Sequence, residues 1–360
     1  MRKLKNIALI ILVISTIVIV GCCGFYRYMM MPTDKNSKQI VEIEIPLNST
    51  SRKIASILKE NKLIKDEKIF LLYLKIIEAN DLKAGYYDLK MDMGVEKIVE
   101  ELRKGSTKNP NQISITFQEG LHMREIATII SNKTNNTYEE VLEKANDKNY
   151  LLTLIENYWF IDESILNEEL YYGIEGYLFP NTYLLTNKDV SVEYIFQKML
   201  TEMNNILTPY RETIENSNLS LHNILTLASV VEKESATKQD RDKVASVFIN
   251  RMKVNMPLGS DVTTRYAFKV DNKKQVLTKV QYNTKNPYNT RVTDGSMNGK
   301  LPVGPICNPS KESIEAAINP KDTNYLYFIA NIKTLETFFY EKYNDFLNKK
   351  DELAAVNGGF

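Results

Sequence analysis

Chemistry in this chain can start from one carboxylate on a helix. Across Leu221 to Glu234, at about 100° per residue, Leu221, Ile224, Leu225, Ala228 and Val231 form an apolar arc. Glu232 falls inside that arc and Glu234 just beyond its edge. A carboxylate on an otherwise apolar face loses hydration, which disfavours its charged form, the condition a general acid needs near neutral pH. Glu232 is therefore the candidate acid. The competing reading is a helix-end glutamate paired with Lys233, Lys238 or Arg241 in solvent, and periodicity alone leaves both open. Asp261, Glu312 or Glu315 could supply a second carboxylate for a glycosidase that needs a nucleophile or a water-activating base.

Other constellations are weaker. Ser229 or Ser235 with His222 could be drawn as nucleophile and base, yet no G-x-S-x-G turn accompanies them, and His222 near a helix start suits capping or packing. There is no Gly-rich phosphate loop. With only His122 and His222 in the chain, and three cysteines of which Cys22 and Cys23 are adjacent, no metal centre or cofactor is expected. Lys+Arg 46 against Asp+Glu 45 leaves a net charge of +1, which argues against nucleic-acid binding.

The elements that position these residues begin with an anchor. NIALIILVISTIVIVGCCGFY, between Lys5 and Arg27, is uncharged and long enough to span a hydrocarbon core, so 1–5 reads as a cytoplasmic tail and 6–28 as an uncleaved transmembrane segment. Arg2, Lys3 and Lys5 favour an inside N-terminus, against Arg27, Lys35 and Lys38 on the other flank. Ile19, Val20 and Gly21 before Cys22 also loosely suit lipoprotein processing; either way the rest of the chain is tethered to a membrane.

Beyond the linker 32–38, Val41, Ile43 and Ile45 alternate as a strand, Asn48 to Ser51 cap a helix, Ile69 to Ile77 form another, and AGYYDLK returns as a strand. A shift of 72 positions overlays Ile43, Ile45, Arg52, Ile54, Ala55 and Ile57 on Ile115, Phe117, Arg124, Ile126, Ala127 and Ile129, suggesting that the strand-turn-helix pattern recurs. Tyr138 to Asn167 reads as helical, EGYLFPNTY at Glu175 to Tyr183 as a structured turn, and Tyr194 to Leu207 as an amphipathic helix. Two further helices lie within Leu221 to Arg251, split near Ser235 to Gln239. The stretch from Pro257 to Pro309, rich in Gly, Pro, Asn, Asp and Thr, predicts a long irregular segment and a cleft, with DNKKQ at 271–275 as a solvated charge run. A short helix before Pro320, strands at NYLYFIA and ETFFY, and a terminal helix near Tyr343 to Leu347 complete the chain. The fold class is α+β, with boundaries at 39–108, 109–200 and 201–348.

LASVVEKES at Leu227 to Ser235, followed by RDKVASVFINRM and PLGSD, resembles the signature of the endolytic murein transglycosylase, or YceG-like, family. EGYLFPNTY, NPYNT at Asn286 to Thr290, LPVGPICNPS at Leu301 to Ser310 and YLYFIA at Tyr325 to Ala330 extend the resemblance over most of the chain from Val41 onward. It implies a membrane-anchored, LysM-like β-α-α-β module, a connecting region and a catalytic domain outside the membrane of a bacterial cell. That domain would cut peptidoglycan strands internally between N-acetylmuramic acid and N-acetylglucosamine, leaving a 1,6-anhydro end. The family motif places the acid on Glu232, with Glu234, Asp261, Thr263, Tyr288 and Asn289 about the substrate. Peptidoglycan synthases and the division and elongation machinery are the protein partners it suggests. Departures lie around the groove: Gly259 and Val262 in PLGSDVTT, VTDGSMNGK before Leu301, LPVGP, and TFFY without a preceding His. A non-catalytic glycan-binding scaffold, or a hydrolytic muramidase or glucosaminidase, are the alternatives.

Overall fold

The computed structural model describes residues 2–37, 39–106, 109–272 and 275–357. Lys38, and Lys273 and Lys274 of the expected charge run, lie outside the described residues. Helix α1 (Arg2–Met30) carries an apolar stretch, Leu12–Met30, whose mean hydropathy is 1.7 and which is exposed along most of its length, Met30 at its end joining the core of the first unit. An exposed apolar helix of this length fits a single-pass membrane anchor.

Contacts group the remaining chain into two units that meet in sequence at Asn111 and Gln112. In the first, strand β1 (Ile40–Ile45) is followed by helices α2 (Ser51–Glu60) and α3 (Glu67–Ile76), strand β2 (Gly85–Lys90) and helix α4 (Val95–Lys104). Thr50 and Asp66 cap α2 and α3 by accepting from the amides of Lys53 and Ile69. β1 and β2 pair antiparallel with Ile43 opposite Tyr87, and Ile43, Ile45, Tyr87 and Leu89 face a core shared with Leu58, Phe70 and Ile98. The β-α-α-β order is that read from the sequence. Helix α4 is an addition, although Val95, Ile98, Val99 and Leu102 show the spacing of a buried helical face.

The second unit contains β3 (Ile113–Thr116), α5 (Met123–Lys133), α6 (Tyr138–Asn146), α7 (Lys148–Asn157), β4 (Thr182–Leu185), α8 (Val192–Leu207) and α9 (Arg211–Glu215). The chain continues through α10 (Leu221–Glu234), α11 (Arg241–Lys253), α12 (Asp261–Ala267), α13 (Lys279–Asn283), α14 (Lys311–Ile318), β5 (Tyr327–Ala330), β6 (Thr337–Tyr340) and α15 (Tyr343–Asn357). Both copies of the 72-residue overlay form a strand and then a helix. β3 pairs antiparallel with β4, and β5 with β6. One apolar core runs from Ile115 to Ala317, so the segment 109–200 shares its core with α10, α11 and α14. The stretch expected to be irregular between Pro257 and Pro309 holds two short helices, α12 and α13, the second closed by a Thr278–Gln281 capping box. The terminal helix also runs ten residues past Leu347, to Asn357.

Helix α10 lies at the centre of this core. Ile224, Leu225, Leu227, Ala228, Val230 and Val231 have no exposure, and neither do Thr226 and Ser229. The two hydroxyls donate to the backbone oxygens of His222 and Thr226. A helix buried on all sides from Ile224 to Val231 makes arc position a poor guide to which acid faces substrate, which is why Glu232 and Glu234 must be judged by their partners.

Candidate active site at the end of helix α10

Glu232 is a clamp. Its Oε1 accepts from Arg241 Nη2 at 2.8 Å; its Oε2 accepts from the Ser310 amide at 3.0 Å, Ser310 Oγ at 2.5 Å and Ser313 Oγ at 2.8 Å. The side chains of Arg241 and Glu232 are 8% and 7% exposed, so this is a buried ion pair at the N-terminus of α14, joining α10, α11 and α14. Of the two sequence readings, a poorly solvated acid and a solvent ion pair, the structure combines burial with pairing. The Arg241 partner is the predicted one; the solvent is absent.

Glu234 differs in kind. It projects about 200° around the helix from Glu232, where its Oε1 accepts from Ser260 Oγ at 2.6 Å. Burial pushes its carboxyl above the ordinary range, with Asp261 adding to the rise, while the Ser260 bond, Arg251 and Arg291 oppose it. Asp261, at the start of α12, has a half-exposed side chain and pairs with Arg291 Nη1 at 2.6 Å. The adjoining Ser235 Oγ is buried without a described partner. A carboxyl whose burial favours the proton, close in sequence to a half-exposed acid, is an arrangement suited to acid catalysis on a polar substrate.

Three residues anticipated at the substrate are buried and hydrogen-bonded within the protein. Thr263, Tyr288 and Asn289 have no exposure. Thr263 Oγ1 donates to Ser260 O at 2.7 Å and meets Thr290 Oγ1 at 2.8 Å, which fixes the loop that carries Ser260. Asn289 accepts from Thr264 Oγ1 and donates Nδ2 to the carbonyls of Gln281, Tyr282 and Thr284, stitching α12 to α13. Tyr288 packs tilted against Tyr171 and edge-on to Tyr266, and its hydroxyl accepts from the Tyr171 amide. Polar residues in a Gly-, Asn- and Thr-rich loop satisfy its backbone as readily as they meet a ligand, and these three brace the loops around Ser260, α12 and α13.

Glu175, in EGYLFPNTY, was missed as a titrating group. It is 1% exposed and accepts from the Met123 amide, Tyr266 Oη and Asn308 Nδ2 at 2.9, 3.0 and 3.0 Å. Desolvation pushes its carboxyl up to about 7 against the Met123 amide, the Tyr266 hydroxyl and the charges of Arg124 and Lys233. Asn308 in turn accepts from the Leu178 amide, so Glu175 ties the 301–310 loop that delivers Ser310 to Glu232. An acid amid Gly, Tyr, Leu and Phe was the available signal. The other constellations dissolve: Ser229 receives the Ile306 amide, and His222 lies between Tyr177 Oη and Val303 O. Glu312 pairs with Lys238, and Glu315 accepts from Tyr210. Asp271 is not simply solvated, since it meets Arg124 at 2.7 Å and His122 at 3.0 Å.

Fold and site together define a class: a mixed α+β protein behind one apolar helix, with a buried acid at the end of its central helix. Residues 43–352 match the YceG-like family, and the chain belongs to it. It is 36% identical over 315 residues to the endolytic murein transglycosylase of Bacillus subtilis (strain 168), covering 87% of this chain and 85% of that protein. It is 33% identical over 336 residues to the endolytic murein transglycosylase of Streptococcus pneumoniae serotype 2, covering 89% of this chain but 60% of that longer protein. A crystal structure of a YceG-like protein from Listeria monocytogenes has a similar fold, with a TM-score of 0.61 at 32% identity, over 87% of this chain and all of that one.

Proposed function

We propose that the protein is an endolytic peptidoglycan transglycosylase whose acid is Glu234, with Glu232 as the clamp that fixes its helix. The observation that carries this reading is the contrast within one turn. Glu232 takes four hydrogen bonds, one of them from an arginine, while burial favours a proton on Glu234, which accepts from one hydroxyl. Family membership and the names of the relatives support the substrate class.

In the reaction, protonated Glu234 gives its proton to the oxygen between N-acetylmuramic acid and N-acetylglucosamine, and an oxocarbenium-like centre develops at C1. The carboxylate so formed takes the proton of the muramic C6 hydroxyl as that oxygen bonds to C1. The glycosidic bond breaks, no water is consumed, and the strand ends in a 1,6-anhydro sugar. The attacking hydroxyl belongs to the same sugar, so its effective concentration is high and no protein nucleophile is required. Asp261, held by Arg291, places negative charge near the developing cation.

Arg2, Lys3 and Lys5 hold the N-terminus in the cytoplasm, leaving the site outside the membrane beside newly made strands. The β1-α2-α3-β2 unit would serve as a LysM-like glycan-holding module, and peptidoglycan synthases and the division and elongation machinery as neighbours.

The test is mass spectrometry of uncrosslinked strands treated with the full chain in detergent. Products one water lighter than reducing ends, lost in Glu234→Gln and retained in folded Glu232→Gln, establish the lyase and its acid. The reverse pattern returns the acid to Glu232. Reducing ends identify a hydrolase, with Asp261 first in line as its base, and binding without cleavage identifies a scaffold.

A further inference from the structure

A cavity of about 360 Å³ opens beside α10, walled by Lys233 from that helix, Val262, Arg265 and Tyr266 from α12, His122 from the start of α5, Asp271, and Ile306; the Arg265 guanidinium donates to the carbonyls of Asn272 and Gln275. Its volume lies in the range that holds a small ligand. The floor is apolar, since Tyr266 and Ile306 are 4% and 2% exposed. The two acids at its wall are engaged: Asp271 by Arg124 and His122, and Glu125 by the His122 amide at 3.1 Å in the capping box of α5. Lys233 is not. It is exposed, and no carboxylate among the described residues comes within ion-pair distance of it.

Residues that line the cavity are chain neighbours of the proposed site. Lys233 is the residue between Glu232 and Glu234, so its ammonium leaves the helix between the clamp and the acid. Val262 directly follows Asp261, and the loop bearing Ile306 runs on to Ser310. A neutral sugar carries nothing that calls for a free ammonium over an apolar floor. The ionised groups of a peptidoglycan strand belong to the muramic acid's lactyl branch and to the peptide built on it. A stem with a small apolar first residue and an acidic second one offers a methyl to the floor and a carboxylate to Lys233.

We propose that this cavity binds the first two residues of the peptide stem on the muramic acid at the cut, with Lys233 pairing the free carboxylate of the second residue. This rests on the transglycosylase reading and extends it to a substrate preference: strands with acidic stems are the better ligands, and strands amidated at that carboxylate the poorer.

Binding tests it without turnover. Isothermal titration of the full chain in detergent uses three probes: the N-acetylglucosamine–N-acetylmuramic acid disaccharide with a free lactyl group, the same disaccharide bearing L-alanyl-D-isoglutamate, and its D-isoglutamine counterpart. The isoglutamate probe is expected to bind about tenfold more tightly than either of the others, the scale of one close charge pair. Lys233→Glu should erase that preference and Lys233→Arg keep it, both with the wild-type melting temperature because the side chain is exposed. Equal binding of isoglutamate and isoglutamine, or a preference that survives Lys233→Glu, overturns the assignment. Cleavage separates the two proposals. Strands cut by a protein that binds all three probes equally leave the lyase and remove the pocket; stem-dependent binding without any cut leaves the pocket and removes the lyase.

Discussion

Replacing Glu175 by Gln should change how stability depends on pH, by an amount set by its burial. The folded carboxyl titrates near 7 against 4.5 for an ordinary one, so between those values the folded chain holds a proton that the unfolded chain has released. A folded pKa raised above the unfolded one gives stability that is complete below pH 4.5 and lost as pH rises to 7. At about 1.4 kcal/mol per unit, the gap corresponds to ~3 kcal/mol. Glutamine keeps the shape without the titration, and any fixed cost of its amide meeting the donors of Met123, Tyr266 or Asn308 is independent of pH.

The assay is urea unfolding of the full chain in detergent from pH 4.5 to 8, followed by fluorescence of Trp159, the single tryptophan, which lies in the second unit and donates to Asn204. With a slope of about 3 kcal/mol/M, the wild-type midpoint should drop by ~1 M relative to the variant's across this window. His122 and His222, whose burial lowers their pKa values, act in the opposite sense, and Glu234 in the same sense, but all three are common to both proteins. Parallel midpoint curves for wild type and Glu175→Gln would refute the assignment of a proton to this site.

Arg241→Met strands the Glu232 carboxylate at a 7%-exposed site and should cost about 3–5 kcal/mol in the same unfolding assay. The double variant Glu232→Met/Arg241→Met should recover most of that, and a single-variant loss under about 1 kcal/mol would mean the pair is open to water. Gly176→Ala should destabilise by at least ~2 kcal/mol, read as a lower melting temperature. Gly176 has φ +85°, and a Cβ there would lie 2.3 Å from the Pro305 side chain. If Glu234 is the acid, the basic limb of the pH–rate profile should lie above the ordinary glutamate range, because the proton it must give is held by burial. A basic limb near pH 4.5 would exclude it.

Much of the architecture was legible locally. The alternation of Val41, Ile43 and Ile45, the cap within Asn48 to Ser51, and the break between Glu234 and Arg241 are short-range signals, and each element formed where they point. Helix α4 was legible too, since its apolar spacing matches that of α2, yet it is absent from the sequence reading. The substrate assignments at Thr263, Tyr288 and Asn289 came from motif membership. A motif marks residues kept together without distinguishing those that touch the sugar from those that hold the loop.

By itself the sequence pointed to an α+β protein with one apolar helix long enough for a membrane anchor and to the E-K-E of a helix as the place to look for chemistry, because helical period, apolar run length and capping are properties of neighbouring residues. The division of labour inside that motif belongs to the tertiary structure. Arg241 and Ser310 lie 9 and 78 positions from Glu232, Ser260 lies 26 from Glu234, and Met123, Tyr266 and Asn308 converge on Glu175 from three elements. Whether a buried carboxyl is held as an ion or favoured with a proton depends on which donors and charges surround it, and only the packed chain brings those together.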